Sequence, residues 1–125
     1  MADSRKNEYE AGASDERPWG RWTVLSSRDG YVVKEIEVKP GEVLSLQSHE
    51  HRAEHWIVVE GIAEVTINEN VFERRANETA FIPIGARHRI ANPGDTPMRF
   101  VEVQTGEILS EDDIKRYEDR YGRTS

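Results

Sequence analysis

The chain has 125 residues, enough for one domain of ordinary size and too few for a second catalytic domain beside it. Acidic residues outnumber basic ones by 24 to 17, and the net charge is -7, so the basic excess that favours nucleic acid or an anionic membrane is absent. No cysteine is present, which excludes disulfides and thiolate metal sites, and no apolar run or leader-like segment points to a membrane or to export, so the cytoplasm is the default location.

Residues 1–16 lack apolar periodicity and read as a disordered polar tail, with a single domain expected over 17–123. Pro18 and Gly20 punctuate the entry to the fold, and Trp19 and Trp22 offer large areas for burial. Val32, Lys34, Ile36 and Val38 alternate with Val33, Glu35, Glu37 and Lys39, the period of two of a half-buried strand, which Pro40-Gly41 ends. Val43, Leu44 and Leu46 lead into Gln47 and His49. Strand-rich runs follow at Trp56 to Val59, Ile62 to Ile67, Phe81-Ile82, Arg87 to Asn92 and Met98 to Gln104. Turn residues separate them at Gly61, Asn68-Glu69-Asn70, Pro83-Ile84-Gly85 and Asn92-Pro93-Gly94-Asp95. Many short strands at this spacing predict an all-β sandwich or barrel. At the end, Ser110 looks like an N-cap before Glu111, Asp112 and Asp113. Ile114, Tyr117 and Tyr121 then share one helical face up to Gly122, so a short C-terminal helix across the barrel is expected.

Three of the four histidines, His49, His51 and His55, fall within seven residues, and His88 lies far along the chain. Gln47 and His49 are two apart on a predicted strand and leave the same face, while Glu54 follows a short turn where the next strand returns. His88, just after the turn at Pro83 to Ala86, supplies a ligand from across the barrel. An amide oxygen, two imidazoles and a carboxylate suit a divalent ion: zinc, manganese, iron, nickel or cobalt. The competing reading leaves His51 and His55 as surface or packing residues.

The spacing Gly41, Gln47, His49, Glu54, Gly61 resembles the first motif of the cupins. Pro83, Gly85, His88 and Asn92 resemble the second, with Asn77 where Gly is usual. The resemblance implies a double-stranded β-helix, or jelly-roll, barrel. More narrowly, Gln47 to Val59, Arg17 to Gly20, Asn92-Pro93-Gly94, Val101 to Gly106 and Glu111 to Ile114 resemble the type II mannose-6-phosphate isomerases. There such a barrel is usually the C-terminal half of a bifunctional mannose-1-phosphate guanylyltransferase. The guanylyltransferase half has no counterpart in these residues, and guanylyl transfer is not expected of them. Type I phosphomannose isomerases use a zinc set of Gln, His, Glu and His, which Gln47, His49, Glu54 and His88 reproduce.

The activity this implies is metal-dependent interconversion of mannose 6-phosphate and fructose 6-phosphate, an aldose–ketose isomerisation. The alternative is a non-catalytic metal-binding cupin that holds a sugar or small organic ligand. Isomerisation requires an electrophile, a base and a phosphate anchor. Arg52, beside the ligand turn, is the first candidate for phosphate or oxyanion contact, against a solvated turn residue. Lys34 is a second, against a lysine in solvent. His51 and His55 are candidate bases, with Glu102 and Gln104 on one strand face also within reach of the pocket. Trp56 is either core or a sugar-stacking wall. A phosphorylated hexose is the expected partner, and the resemblance implies a homodimer, with the segment around Trp19 and Trp22 as its contact.

Overall fold

Period-two alternation governs most of the chain, and the computed structural model, which describes residues 6–118, turns it into strands. The first strands are β1 (Lys6–Asn7), β2 (Ser14–Arg17), β3 (Gly20–Arg28), β4 (Tyr31–Val38), β5 (Leu46–Ser48) and β6 (Arg52–Glu60). The rest are β7 (Ile62–Ile67), β8 (Asn70–Arg75), β9 (Thr79–Ile82), β10 (His88–Ala91), β11 (Met98–Gly106), β12 (Ile108–Leu109) and β13 (Lys115–Glu118). They form a six-stranded sheet of order β2-β3-β4-β11-β6-β9, a five-stranded sheet of order β13-β5-β10-β7-β8, and a small parallel pair β1-β12.

The inner faces of the two large sheets share one core. Ile36, Val38, Trp56, Val58, Met98 and Phe100 come from the first sheet and Ala63, Val65 and Ile90 from the second. In β4, Val32, Lys34, Ile36 and Val38 are buried and their alternates are only partly covered. Tight turns set the strand order. Gly61 joins β6 to β7 at φ 80, and a Cβ there would lie 2.8 Å from the Pro97 carbonyl oxygen. Asn77 adopts φ 74, the left-handed conformation that Asn tolerates in place of Gly. Asn92 is buried and donates to the Val38 and Thr96 carbonyls while its own oxygen accepts from Gly94 N, so it stitches a loop to β4.

Three expectations are corrected. Within the expected disordered tail, residues 6–16 carry β1 and most of β2. Tyr9 is buried with Val24, Val32 and Leu109 in a second cluster. The C-terminal helix is absent among the described residues. Ser110 does cap a turn, accepting from Asp112 N, but that turn is a single 3-10 turn over Glu111–Asp113, and Ile114 is already extended. The chain continues as β13, paired with β5. Tyr121 and Gly122 lie outside the described residues. Finally, Trp19 is buried in the main core, and Trp22 packs against both clusters, so these tryptophans serve the inside of this chain rather than an open contact face.

The second cluster depends on β1 lying along β12, with Lys6 N donating to Glu107 O and Glu8 N to Leu109 O. Leu109→Ala is expected to cost about 2–5 kcal/mol in urea unfolding. It should also raise amide hydrogen exchange at Lys6 and Glu8. Unchanged exchange there would show that the N-terminal segment does not depend on this cluster.

Candidate metal centre

Four side chains converge from both sheets. Gln47 of β5 stands opposite His88 of β10 in antiparallel register, so the two share a face. His49 follows β5, and Glu54 comes from β6 of the other sheet. The Glu54 carboxylate lies 3.2 Å from His49 Nε2 through one oxygen and 3.6 Å from His88 Nε2 through the other, and all three residues are buried. Donors that share one ion at about 2.1 Å sit roughly 3.0–3.4 Å apart; the first of these spacings lies in that range and the second just outside it, and all three donor atoms lie within 4.8 Å of one another. The ring orientations fit as well. His49 Nδ1 donates to Asp113 O at 2.9 Å and His88 Nδ1 to Ala86 O at 3.0 Å. With each Nδ1 so engaged, Nε2 is the ring atom turned toward Glu54, and a carbonyl held on the far nitrogen is the arrangement typical of metal-bound histidine. Gln47 donates its amide nitrogen to Ser45 Oγ at 2.7 Å, which leaves its oxygen for the cavity it helps to line.

Burial and charge tune these groups in opposite directions. Burial alone would raise the Glu54 carboxyl, but the neighbouring His49 and Arg52 outweigh it and hold the group well below the usual carboxylate range. Burial lowers His88 to about 4, which keeps its imidazole neutral and able to ligate. Glu102 is raised to about 7, first by burial and then by the charge of Glu54. Its two oxygens accept from Trp56 Nε1 at 2.9 Å and Gln104 Nε2 at 2.8 Å.

The expected site residues divide. Lys34 is buried and faces the interior, 3.4 Å from Glu111 and over the rings of Tyr9 and Trp22. Trp56 and Glu102 line the cavity, and Gln104 braces Glu102 without joining the lining. Arg52 is neither a solvated turn residue nor an open phosphate contact. It is buried, and its guanidinium donates to Glu54 at 3.0 Å, to Tyr9 Oη and to Ser110 O. His51 and His55 do not reach the site and are corrected as candidate bases. Both are exposed, and His55 stacks on Phe81 at 4.7 Å on the outer face, because alternation along β6 sends Glu54 inward and His55 outward.

Four contributors were missed: Tyr9, Glu111, Asp113 and Arg116. Asp113 accepts at Glu50 N and His51 N through its side chain while its carbonyl fixes the His49 ring. Ile114 and Arg116 line the cavity two residues apart. That alternation was present in the sequence and was overridden by the helical reading of Ile114, Tyr117 and Tyr121. The cavity encloses about 70 Å³, and about 630 Å³ when the open solvent at its mouth is counted.

Glu54→Gln is expected to destabilise the fold by about 3–5 kcal/mol, because Arg52 stays buried without its counter-charge. It should also weaken zinc binding, followed by calorimetry, by about tenfold or more. Unchanged zinc affinity would show that these donors do not share an ion. Glu102 holds its proton in the folded chain where the unfolded chain has lost it. Its stabilising contribution is thus complete below about pH 4.5 and declines as pH rises through about 7. In chelator-treated protein, Glu102→Gln should abolish that decline in denaturant midpoints measured between pH 4.5 and 8.

The chain is similar to proteins of known name. Over 109 residues the chain is 56% identical to the alginate biosynthesis protein AlgA of Pseudomonas putida, covering 87% of this chain and 22% of that protein. Over 122 residues it is 48% identical to a mannose-1-phosphate guanylyltransferase of Escherichia coli, covering 98% of this chain and 25% of that protein. The chain thus spans about a quarter of the length of these curated relatives. A crystal structure of a conserved Klebsiella pneumoniae protein with a double-stranded β-helix domain superposes with a TM-score of 0.68. It is 24% identical and matches over 78% of each chain. The fold is accordingly the cupin double-stranded β-helix. The function expected from the sequence, a stand-alone isomerase of mannose 6-phosphate and fructose 6-phosphate or a non-catalytic sugar-binding cupin, is corrected by these relatives. They are named for guanylyl transfer to mannose 1-phosphate and for alginate biosynthesis, and this chain corresponds to one part of them. A family model described as Mannose-6-phosphate isomerase C-terminal matches residues 4–119, and the chain belongs to that family.

Proposed function

We propose that this chain acts as the metal-dependent sugar-phosphate domain of a guanylyltransferase-type protein of mannose activation, with its own chemistry of the aldose–ketose isomerase type. The observation that carries this reading is the convergence of His49, Glu54 and His88 within 4.8 Å, with Glu54 and His88 lining an open cavity beside Gln47, Lys34 and Trp56. Gln47 completes the donor set. When bound, a divalent ion supplies an electrophile that polarises a carbonyl oxygen. The protein's residues supply the rest. Trp56 and Phe100 give the cavity an apolar wall that excludes water, with ring centroids 5.4 Å apart. Glu102, held by Trp56 and Gln104 and raised toward neutrality by burial, is placed to hold or move a proton. The amide at Gln47 weighs against iron-type oxygen chemistry, which favours a third histidine at that place. A cytoplasmic homodimer belongs to the same proposal. The exposed Ile57, Val59 and Phe81 on the outer face of the six-stranded sheet support such a contact better than the internal tryptophans do.

Exchange of the C2 proton of mannose 6-phosphate with deuterated solvent tests the chemistry directly. The zinc- or manganese-loaded chain should catalyse exchange, chelation should reduce it about 100-fold or more, and metal should restore it. A metal-loaded chain that neither exchanges this proton nor binds mannose 6-phosphate or mannose 1-phosphate would end the proposal.

A further inference from the structure

Phosphate recognition needs cations that a dianion can claim, and the cavity holds an unusual supply of them. Arg17, Lys34, Arg52, Arg89 and Arg116 line it, against Glu54, Glu102 and Glu111, in a chain whose net charge is -7. The inner cations are already committed. Arg52 is paired with Glu54, whose side chain is only 2% exposed and cannot swing away, and Lys34 lies between two aromatic rings beside Glu111. The outer ones differ. Arg17 pairs with Asp15 at 3.0 Å and Arg89 with Glu118 at 3.2 Å, and these carboxylates are 45% and 67% exposed. Ion pairs of that kind contribute about 0–1 kcal/mol, so a doubly charged phosphate monoester can displace the carboxylates.

Register places Arg116 at the centre of this rim. It stands opposite Gln47 in the β13–β5 pair, and Gln47 stands opposite His88 in the β5–β10 pair. Antiparallel partners project from one face, so His88, Gln47 and Arg116 form a row that leads from the metal centre to the cavity mouth. Two strand spacings separate its ends, roughly 10 Å, comparable to an extended hexose 6-phosphate measured from its terminal oxygen to phosphorus. Arg89 follows His88 on β10 and so leaves the opposite face of the sheet from this row, but its pair with Glu118 ties it to β13 and it borders the same opening, while Arg17 borders it from the other sheet.

We propose that Arg116, flanked by Arg17 and Arg89, forms an anion subsite at the cavity mouth that holds the phosphate monoester of a sugar whose other end reaches the metal centre. The inference rests on the sugar-phosphate reading above and assigns to the rim the anchoring role that Arg52 is too occupied to play. A guanidinium fork suits the geometry of phosphate oxygens, and three arginines from two sheets would fix the sugar's direction in the cavity.

Calorimetric titration with mannose 6-phosphate, mannose and inorganic phosphate tests it, in the metal-loaded chain and again with chelator so that direct coordination by the ion drops out. Mannose 6-phosphate should bind more tightly than mannose, and inorganic phosphate should compete with it. Arg116→Gln should weaken mannose 6-phosphate about tenfold or more while leaving mannose and zinc binding unchanged. The double variant Arg17→Gln/Arg89→Gln, measured independently should Arg116→Gln fail to fold, should show the same selective loss. Arg74→Gln, which removes one charge outside the cavity, should bind like the parent. Parent-like phosphosugar binding by the folded rim variants would overturn the subsite alone. A parent chain that binds neither sugar phosphate nor inorganic phosphate would overturn the subsite and the sugar-phosphate reading together.

Discussion

Glu54 is the group around which the structure is arranged. A carboxylate fully removed from water is costly unless its oxygens are matched, and here the two histidines and Arg52 surround it. Arg52 brings its own demands into the interior. To satisfy the rest of the guanidinium, the chain supplies Tyr9 Oη from the N-terminal segment and the Ser110 carbonyl from the C-terminal turn. Tyr9 in turn bonds Glu111, which pairs with Lys34. The need to match one buried charge therefore draws both ends of the described chain onto the barrel, and what closes the base of the cavity is a hydrogen-bonded polar network rather than apolar packing alone.

This also explains which parts of the fold were legible. Alternation in β4 and β11 is local and strong, and Lys34 and Glu102 could be placed on inward faces from it. The convergence of His49, Glu54 and His88 was legible from turns as well, since a short turn carries the chain from β5 to β6 of the other sheet between His49 and Glu54, and His88 follows an obvious turn. The N-terminal segment carried no such pattern. Tyr9 is a single aromatic among polar residues, and the parallel pairing of β1 with β12 joins positions about a hundred residues apart, which local sequence does not encode. The candidate bases failed on a simpler point: three histidines close in sequence suggested a cluster, yet alternation in β6 and the exposed turn before it separate His51 and His55 from the interior.

The C-terminal segment shows local preference yielding to tertiary bonds. Ser110 caps as its sequence suggests, and three acids follow in a favourable first turn. Continuing the helix would keep the Asp113 carbonyl within the helical ladder. Here that carbonyl accepts from His49 Nδ1, and the Asp113 carboxylate receives Glu50 N and His51 N. One residue thus fixes the ring of a donor and the turn that carries it, and the chain then becomes a strand along β5. The departure from local propensity coincides with the site, where such departures are expected.

Extending β5 with a further strand has a consequence for the cavity as well. Without β13, Gln47 would sit on an open sheet edge and the lining would lose Ile114 and Arg116. With it, Ile114 and Arg116 extend the wall, so that the less buried Arg17, Arg89 and Arg116 are added to a lining that already holds Gln47, Glu54 and His88, the Trp56–Glu102 pair and the buried, paired Lys34 and Arg52. A ligand with a polar, uncharged end and an anionic end meets each kind of surface in turn. The same strand that orients His49 through the preceding turn therefore also sets the polarity of the entrance, so donor geometry and entrance charge are coupled through the chain from Asp113 to Arg116.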